Sequence, residues 1–257
     1  MIVDASYWQS IFTDTFVDEL STWSTAVIER LLPTFDNLEG EAESVSSDEF
    51  TRRGRMPASE DSYTDMSDIA ESANDEGLAH YERMQGARQG LLNLATAGLY
   101  HLFEQQAALF VCKALITRNE EKNRTFMKDL LSPGRLMKEF KERLLTAGIN
   151  FKELPSYEKV RELGLVANVV KHGGGRSAES LVKLAPNLFA PPMLRDDPWT
   201  MRRITRNNDA LHPQPPRLVD RPLAGNDLYV TPQEFQMYAG AATALWSELA
   251  AEITKPA

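Results

Sequence analysis

Cysteine and long hydrophobic runs are nearly absent from this sequence of 257 residues. The single cysteine, Cys112, excludes an internal disulfide framework and a metal site built from several thiolates. No apolar run approaches the roughly 18 residues that a membrane-spanning helix needs, and no basic segment followed by an apolar stretch opens the chain. We therefore expect a cytoplasmic protein with no membrane association.

The common motifs of enzymes and nucleotide-binding proteins are also missing. The sequence contains no Walker pattern, no glycine-rich phosphate loop after a strand, no nucleophile elbow and no pair of histidines spaced to bind zinc from one helix. Strand alternation is missing too, whereas apolar residues recur at helical spacing through much of the chain. The sequence therefore predicts an all-α fold, a helical bundle forming a single domain over residues 1–257, with no cofactor.

Charge is distributed unevenly along the chain, whose net charge is −9. Residues 1–82 carry 4 basic and 19 acidic side chains, whereas residues 83–183 carry 17 basic and 10 acidic ones. A basic middle segment can meet phosphate while the acidic part masks it or faces another partner. Solvated helix faces of uneven charge explain the same counts without any ligand.

Apolar periodicity places the helices. The first, over residues 6–32, carries an aromatic stripe that is typical of a buried core, and Pro33 ends it. The last begins at Thr231-Pro232-Gln233-Glu234, a capping box with proline at the first helical position. Further helices are predicted over residues 65–85, 88–118, 126–131, 136–147 and 156–172, and a short one begins at Arg176.

Two segments have no helical period. Residues 36–65 are rich in Glu, Asp, Ser and Gly, which predicts a mobile acidic linker or a loop that becomes ordered on a partner. Residues 188–228 are rich in proline, which predicts an irregular segment before the C-terminal helix. In this second segment Arg206 precedes His212 by six residues, which is a spacing found in the Arg–His motif described below. Because Pro213 follows at once, we interpret that match as chance.

Residues 155–176, PSYEKVRELGLVANVVKHGGGR, are the stretch that points most firmly to chemistry. Ser156 is the predicted N-cap of a helix that ends at Gly173, the first of three consecutive glycines. Arg161, Asn168 and His172 recur on one narrow stripe beside an apolar face. The apolar face consists of Leu163, Val166, Ala167 and Val170.

Within this helix, Ala167-Asn168-Val169-Val170-Lys171-His172-Gly173 resembles the signature of the HEPN superfamily, in which an Arg, usually followed by a polar residue, precedes a His by four to six residues. Asn168 matches the polar residue and His172 the histidine, while Ala167 stands where the family has its Arg. The resemblance implies a helical homodimer that cuts RNA without a metal. It also implies the settings in which bacterial members often serve, namely toxin–antitoxin, RNA-processing and antiviral (phage) defence systems.

The expected site lies where this helix meets the glycine-rich turn. His172 is the candidate acid–base residue and Asn168 orients it, so these two are the candidate catalytic residues. Lys171 and Arg176 flank a turn whose backbone N–H groups can face an anion, and with Arg161 they are the expected contacts to the phosphates of RNA or a nucleotide. A histidine that closes the helix by bonding to its last carbonyls is the equally open structural interpretation of His172.

A polar wall is predicted on the strongly apolar helix over residues 88–118, where Tyr100, His101 and Glu104 interrupt the apolar pattern. Polar groups on a buried helix must find partners. They form either a satisfied structural network or one side of a site. A metal site made of His101, Glu104 and His172 is a third, weaker alternative, and we expect no metal.

A different class of function also fits the sequence. The missing Arg, the acidic N-terminal part and the long proline-rich segment favour a non-catalytic helical module that binds a partner protein or its own copy. An Arg guanidinium close to His172 in the folded protein would favour catalysis over this alternative.

Overall fold

Helices make up all the regular structure in residues 4–55, 65–130, 132, 134–173, 175–206 and 227–255, the residues that this computed structural model describes. The prediction of an all-α fold is confirmed. The domain predicted over residues 1–257 consists of two compact units, residues 28–91 and residues 1–27 together with 92–257. None of the helices in the described ranges is both long enough and apolar enough to span a bilayer.

The first helical run matches the amphipathic helix predicted over residues 6–32. It consists of α1 (Ala5–Ser10) and α2 (Val17–Ala26), joined by a π-helical turn over Ile11–Phe16. A second π-helical turn, Val27–Leu31, and a 3-10 turn that contains Pro33 end the run, as the sequence predicts.

In the unit formed by residues 28–91, the expected acidic linker is instead largely a helix, α3 (Leu38–Gly54). It packs against the first part of α4 (Met66–Phe110) at Gly77. A Cβ on Gly77 would lie 2.8 Å from the Ala42 carbonyl oxygen and 3.0 Å from the Ser46 Cβ. The two helices meet through small residues, and the sequence of α3 contains only scattered apolar residues, so its helical packing could not be recognised and the linker prediction is wrong for most of its length. Residues 56–64 of that prediction lie outside the described residues.

Helix α4 also corrects the sequence interpretation, because it runs without a break through the point where two helices were expected to separate, between residues 85 and 88. Gly86 and Gly90 lie inside it. Each glycine costs about 1 kcal/mol of helix stability, which tertiary packing of a long helix overcomes. A π-helical turn over Val111–Leu115 follows α4.

The remaining helices belong to the unit of residues 1–27 and 92–257. They are α5 (Arg118–Lys122), α6 (Arg124–Leu130), α7 (Arg135–Thr146), α8 (Tyr157–His172), α9 (Arg176–Leu184), α10 (Pro198–Arg206) and α11 (Pro232–Ile253). The predicted capping box is present at the start of α11, between Thr231 and Glu234. Helices α6 to α9 also match predicted segments.

Helix α10 lies inside the proline-rich segment that was predicted to be irregular. The Asp197 carboxylate accepts hydrogen bonds from the backbone N–H groups of Trp199 (3.3 Å) and Thr200 (2.8 Å), so it caps the helix. Pro198 occupies the first helical position, where its missing N–H costs nothing. The prediction is wrong for residues 198–206 because proline at that position starts a helix rather than preventing one. Residues 207–226 of the predicted irregular segment lie outside the described residues. The spaced pair Arg206 and His212 extends beyond the described residues.

An aromatic core holds the larger unit together. Trp246 of α11 lies at its centre, with ring centroids 4.9 Å from both Phe12 and Phe16 and 5.2 Å from Phe103. Phe110 extends the cluster, 4.8 Å from Phe12. The predicted role of the N-terminal aromatic stripe as core is therefore confirmed for Trp8, Phe12 and Phe16, whereas Trp23 is 37% exposed.

The close approach at Gly77 leads to a stability prediction. We expect Gly77→Ala to destabilise the protein by about 1–3 kcal/mol, because the new methyl group meets a backbone oxygen that cannot rotate away. Gly86→Ala is the matched control in the same helix, since nothing lies within 4 Å of its Cβ position. It should stabilise the protein by about 0.5–1 kcal/mol. Urea unfolding followed by circular dichroism measures both, and equal effects would contradict the packing of α3 on α4.

Candidate functional site

The turn between α8 and α9 presents three of the predicted site residues to solvent. Helix α8 ends at Gly173, whose φ of 71° suits glycine, and Gly175, with φ 96°, precedes α9. Lys171 and His172 occupy the last turn of α8, Arg176 is the first residue of α9, and all three are exposed. The predicted helix end at Gly173 is confirmed.

The inner face of α8 is buried, as its apolar spacing predicts. Ala167, at the position of the family's Arg, has an exposed fraction of 0%. Asn168 is half-buried beside it. The position that carries the Arg in the HEPN signature therefore faces the core in this chain.

Two polar links fasten α8 to α11. The Ser156 hydroxyl donates to Glu248 Oε1 at 2.7 Å, and the Ser156 backbone N–H donates to Glu248 Oε2 at 3.1 Å. Ser156 is the N-cap residue of α8, as predicted, but its hydroxyl forms no capping hydrogen bond to the first turn of the helix. The carboxylate of Glu248 lies at the start of α8, where the helix dipole favours negative charge.

The second link is a buried network that the sequence interpretation missed. The Glu162 carboxylate, only 8% exposed, accepts hydrogen bonds from the Tyr238 hydroxyl at 2.7 Å and from Lys159 Nζ at 2.8 Å. Burial, and next the Glu162 carboxylate, raise the pKa of Tyr238, so its phenol stays protonated. A glutamate next to an apolar face with a lysine three residues earlier was the available clue, but its partner on α11 lies 76 residues away.

The predicted polar wall divides into a packing residue and a surface cluster. Tyr100 packs on α8 at Gly164, where a Cβ would lie 2.9 Å from its ring. Burial raises the pKa of the Tyr100 phenol, so it stays neutral. Tyr100 therefore fixes the distance between α4 and α8 and presents no charge to a ligand.

Glu104 and His101 form the surface cluster, and Lys171 of α8 acts on it. His101 Nδ1 lies 3.9 Å from Glu104 Oε2, and His101 Nε2 lies 3.0 Å from Gln105 Nε2. Burial raises the pKa of Glu104, while the charges of Lys171 and His101 pull it down by less. The charge of Lys171, a predicted phosphate contact, therefore acts on Glu104 of the predicted polar wall.

Arg161 is not part of this group. Its guanidinium is bound to Glu158 at 2.6 Å, and it lies about 16 Å from His172 along the helix axis. Among the described residues, the side chains of His172 and Arg176 have no hydrogen-bond or ion-pair partner. The same residues contain no group of three His, Cys, Asp or Glu side chains that could hold a metal ion, so nothing there favours the His101, Glu104 and His172 alternative.

The backbone of the turn adds to its capacity for anions. Gly175 is the N-cap of α9 and offers no side-chain oxygen to the first N–H groups of the helix. Uncapped N–H groups at a helix start attract negative charge. With Lys171, His172 and Arg176 nearby in sequence and exposed, the turn can contact a phosphate.

No family model, no curated protein and no solved structure matches this chain. The resemblance to the HEPN superfamily therefore depends on the motif in α8.

The raised pKa of Glu104 predicts a pH-dependent effect. The pKa of the Glu104 carboxyl group is higher in the folded state than the unfolded value of about 4.3, so its ionisation destabilises the folded state. This loss of stability appears as the pH rises from the unfolded pKa through the folded pKa. At about pH 7.5 we expect Glu104→Gln to unfold at a higher urea concentration than the wild type, and at about pH 3.5 the two midpoints should converge. Glu71→Gln, at an exposed position of α4, is the control and should show no such dependence. A Glu104→Gln variant that is less stable at about pH 7.5 would show that the attraction of Lys171 outweighs burial.

Proposed function

We propose that this protein acts on RNA or nucleotides, and that it binds their phosphates at the turn between α8 and α9. Lys171 and Arg176 contact phosphate, His172 lies between them in sequence, and the N–H groups at the start of α9 complete the anion site. The observation that carries the proposal is the exposure of all three side chains around a glycine turn, with no ion pair to any described carboxylate for His172 or Arg176.

The charge around the turn supports an anionic ligand. Lys171 raises the local positive potential enough to oppose the effect of burial on Glu104. Arg161, which the sequence also nominated, is left out of the proposed site because Glu158 already binds it. Phosphate contacts of this kind give affinity without base specificity, so the proposal concerns the class of ligand and no particular sequence.

Cleavage is the further step of the proposal, with His172 as acid–base residue and Asn168 beside it. A metal-independent cut needs a cation to stabilise the charge that develops on the phosphate. Ala167 cannot supply one, so in this proposal Lys171, Arg176 or a side chain of a second copy does.

The second candidate is a non-catalytic module that binds a partner protein or its own copy. The complete burial of Ala167 favours it, because the position of the family's catalytic Arg is part of the core. The two candidates differ in whether purified protein binds and cuts RNA.

Binding is tested with fluorescein-labelled single-stranded RNA and fluorescence anisotropy over a range of salt concentrations. We expect Lys171→Ala and Arg176→Ala each to weaken binding roughly threefold or more and to reduce the slope of log K against log salt by about 1. Arg161→Ala is the control and should leave both unchanged. Competition with ATP separates a nucleotide site from an RNA site. Equal losses in all three variants would show that general charge, and not the turn, binds RNA.

Cleavage is tested by incubating the purified protein with mixed cellular RNA and EDTA beside His172→Ala. We expect the wild type to cut and the variant to lose most of that activity, because general acid–base catalysis typically contributes about 100-fold or more. Asn168→Ala should cut more slowly than the wild type. Equal cleavage by wild type and His172→Ala would overturn the assignment of His172, and RNA binding without cleavage would favour the non-catalytic candidate.

A further inference from the structure

A groove of about 650 Å³ runs between α3 and the first part of α4, entirely within residues 28–91. Small residues form its base, among them Ala42, Ala73 and Gly77, and the larger side chains of Phe50, Leu78 and Tyr81 line it. This groove is independent of the proposed RNA site, which lies in the other unit.

Apolar side chains in the groove face water. Leu78 is 54% exposed and Phe50 is 38% exposed, although each lies beside small residues that leave room for a ligand. The close contact at Gly77 places the two helices side by side, and Phe50 of α3 and Leu78 of α4 both line the groove between them. Exposed apolar surface with a polar rim is typical of a protein-binding site.

Acidic side chains outnumber basic ones in this unit, and two of them line the groove. Glu39 and Glu43 of α3 line the groove and are exposed. Residues 28–91 carry 15 acidic and 6 basic side chains, and none of the basic ones is lysine. At the Phe50 end, Arg52 and Arg53 share one carboxylate, that of Glu49, at 2.6 and 2.5 Å, so the acidic end of the groove is the one formed by Glu39 and Glu43.

We propose that this groove binds the apolar face of a cationic amphipathic helix from a partner protein. Leucine or similar side chains of that helix pack against Leu78 and Phe50, and its lysines or arginines face Glu39 and Glu43. Along α3 the groove extends from Glu39 to Phe50, about 16 Å, which accommodates roughly three turns of a helix. The acidic rim disfavours nucleic acid and anionic lipid at this surface.

The test uses the full-length protein and a fluorescein-labelled helical peptide of about 18 residues made of leucine and lysine, with leucines at i, i+3, i+4 and i+7. We expect saturable binding by fluorescence anisotropy. A peptide of the same composition, reordered so that its leucines do not share a face, should bind at least about tenfold more weakly.

Two groove variants and two matched controls locate the binding site. Leu78→Ser and Glu43→Lys should each weaken binding of the amphipathic peptide about tenfold, since each removes a contact proposed here. Leu109→Ser changes a similarly exposed leucine of the other unit, and Glu71→Lys changes an exposed glutamate of α4 that does not line the groove. Both controls should bind close to the wild type.

The proposal is overturned if the reordered peptide binds equally well, or if the groove variants bind like the wild type. It is also overturned if all four variants lose affinity together, because general charge would then explain binding. Sedimentation of the protein alone gives the remaining outcome, since a dimer that Leu78→Ser dissociates would identify a second copy as the occupant. RNA binding should be unaffected in the groove variants, so failure of this proposal is distinguishable from failure of the RNA site.

Discussion

The hydrogen bond from Trp246 Nε1 to Gln106 Oε1, 2.8 Å long, is the interaction on which the larger unit most depends. Both side chains are buried in the aromatic core, where an unpaired polar group costs about 1–3 kcal/mol. The Gln106 amide also donates to the Phe16 carbonyl at 3.1 Å and to Glu19 at 2.9 Å. One glutamine thus satisfies polar groups from three helical segments and links them through hydrogen bonds.

The candidate site depends on that arrangement indirectly, through the contacts between α11 and α8. Helix α11, held by Trp246, binds α8 through Glu248 and Tyr238. Tyr100 on α4 fixes the other side of α8 at Gly164. The exposed turn that ends α8 therefore projects from a helix anchored on two sides, which is the rigid support that a binding site on a loop requires.

Local chemistry explains which helices the sequence predicted. Thr231 and Glu234 form a capping box within four residues, and Gly173 ends α8 by its own backbone preference, so both boundaries are readable without a structure. Helix α3 was not readable, because its packing depends on Gly77 of another helix. The start of α10 depends on Asp197, whose capping role is ambiguous in a stretch rich in proline.

For the candidate site, too, local features were predictable from the sequence and contacts between distant residues were not. Spacing and the glycine turn located Lys171, His172 and Arg176 at an exposed helix end. Pairing across helices was not predictable, since the partners of Glu162 and Ser156 lie 76 and 92 residues away. The pKa of Glu104 likewise depends on burial, which no local pattern specifies.

The burial of Ala167 has a consequence for how this chain can change. A single substitution to Arg at that position would place a guanidinium in the core, at a cost of several kcal/mol. Since proteins of this size have only about 5–15 kcal/mol of stability, that cost is a large part of the total. A cation beside His172 is therefore reached at lower cost from the exposed side of α8 or from another molecule, and a single substitution that completed the HEPN-like motif would remove much of the stability of the fold.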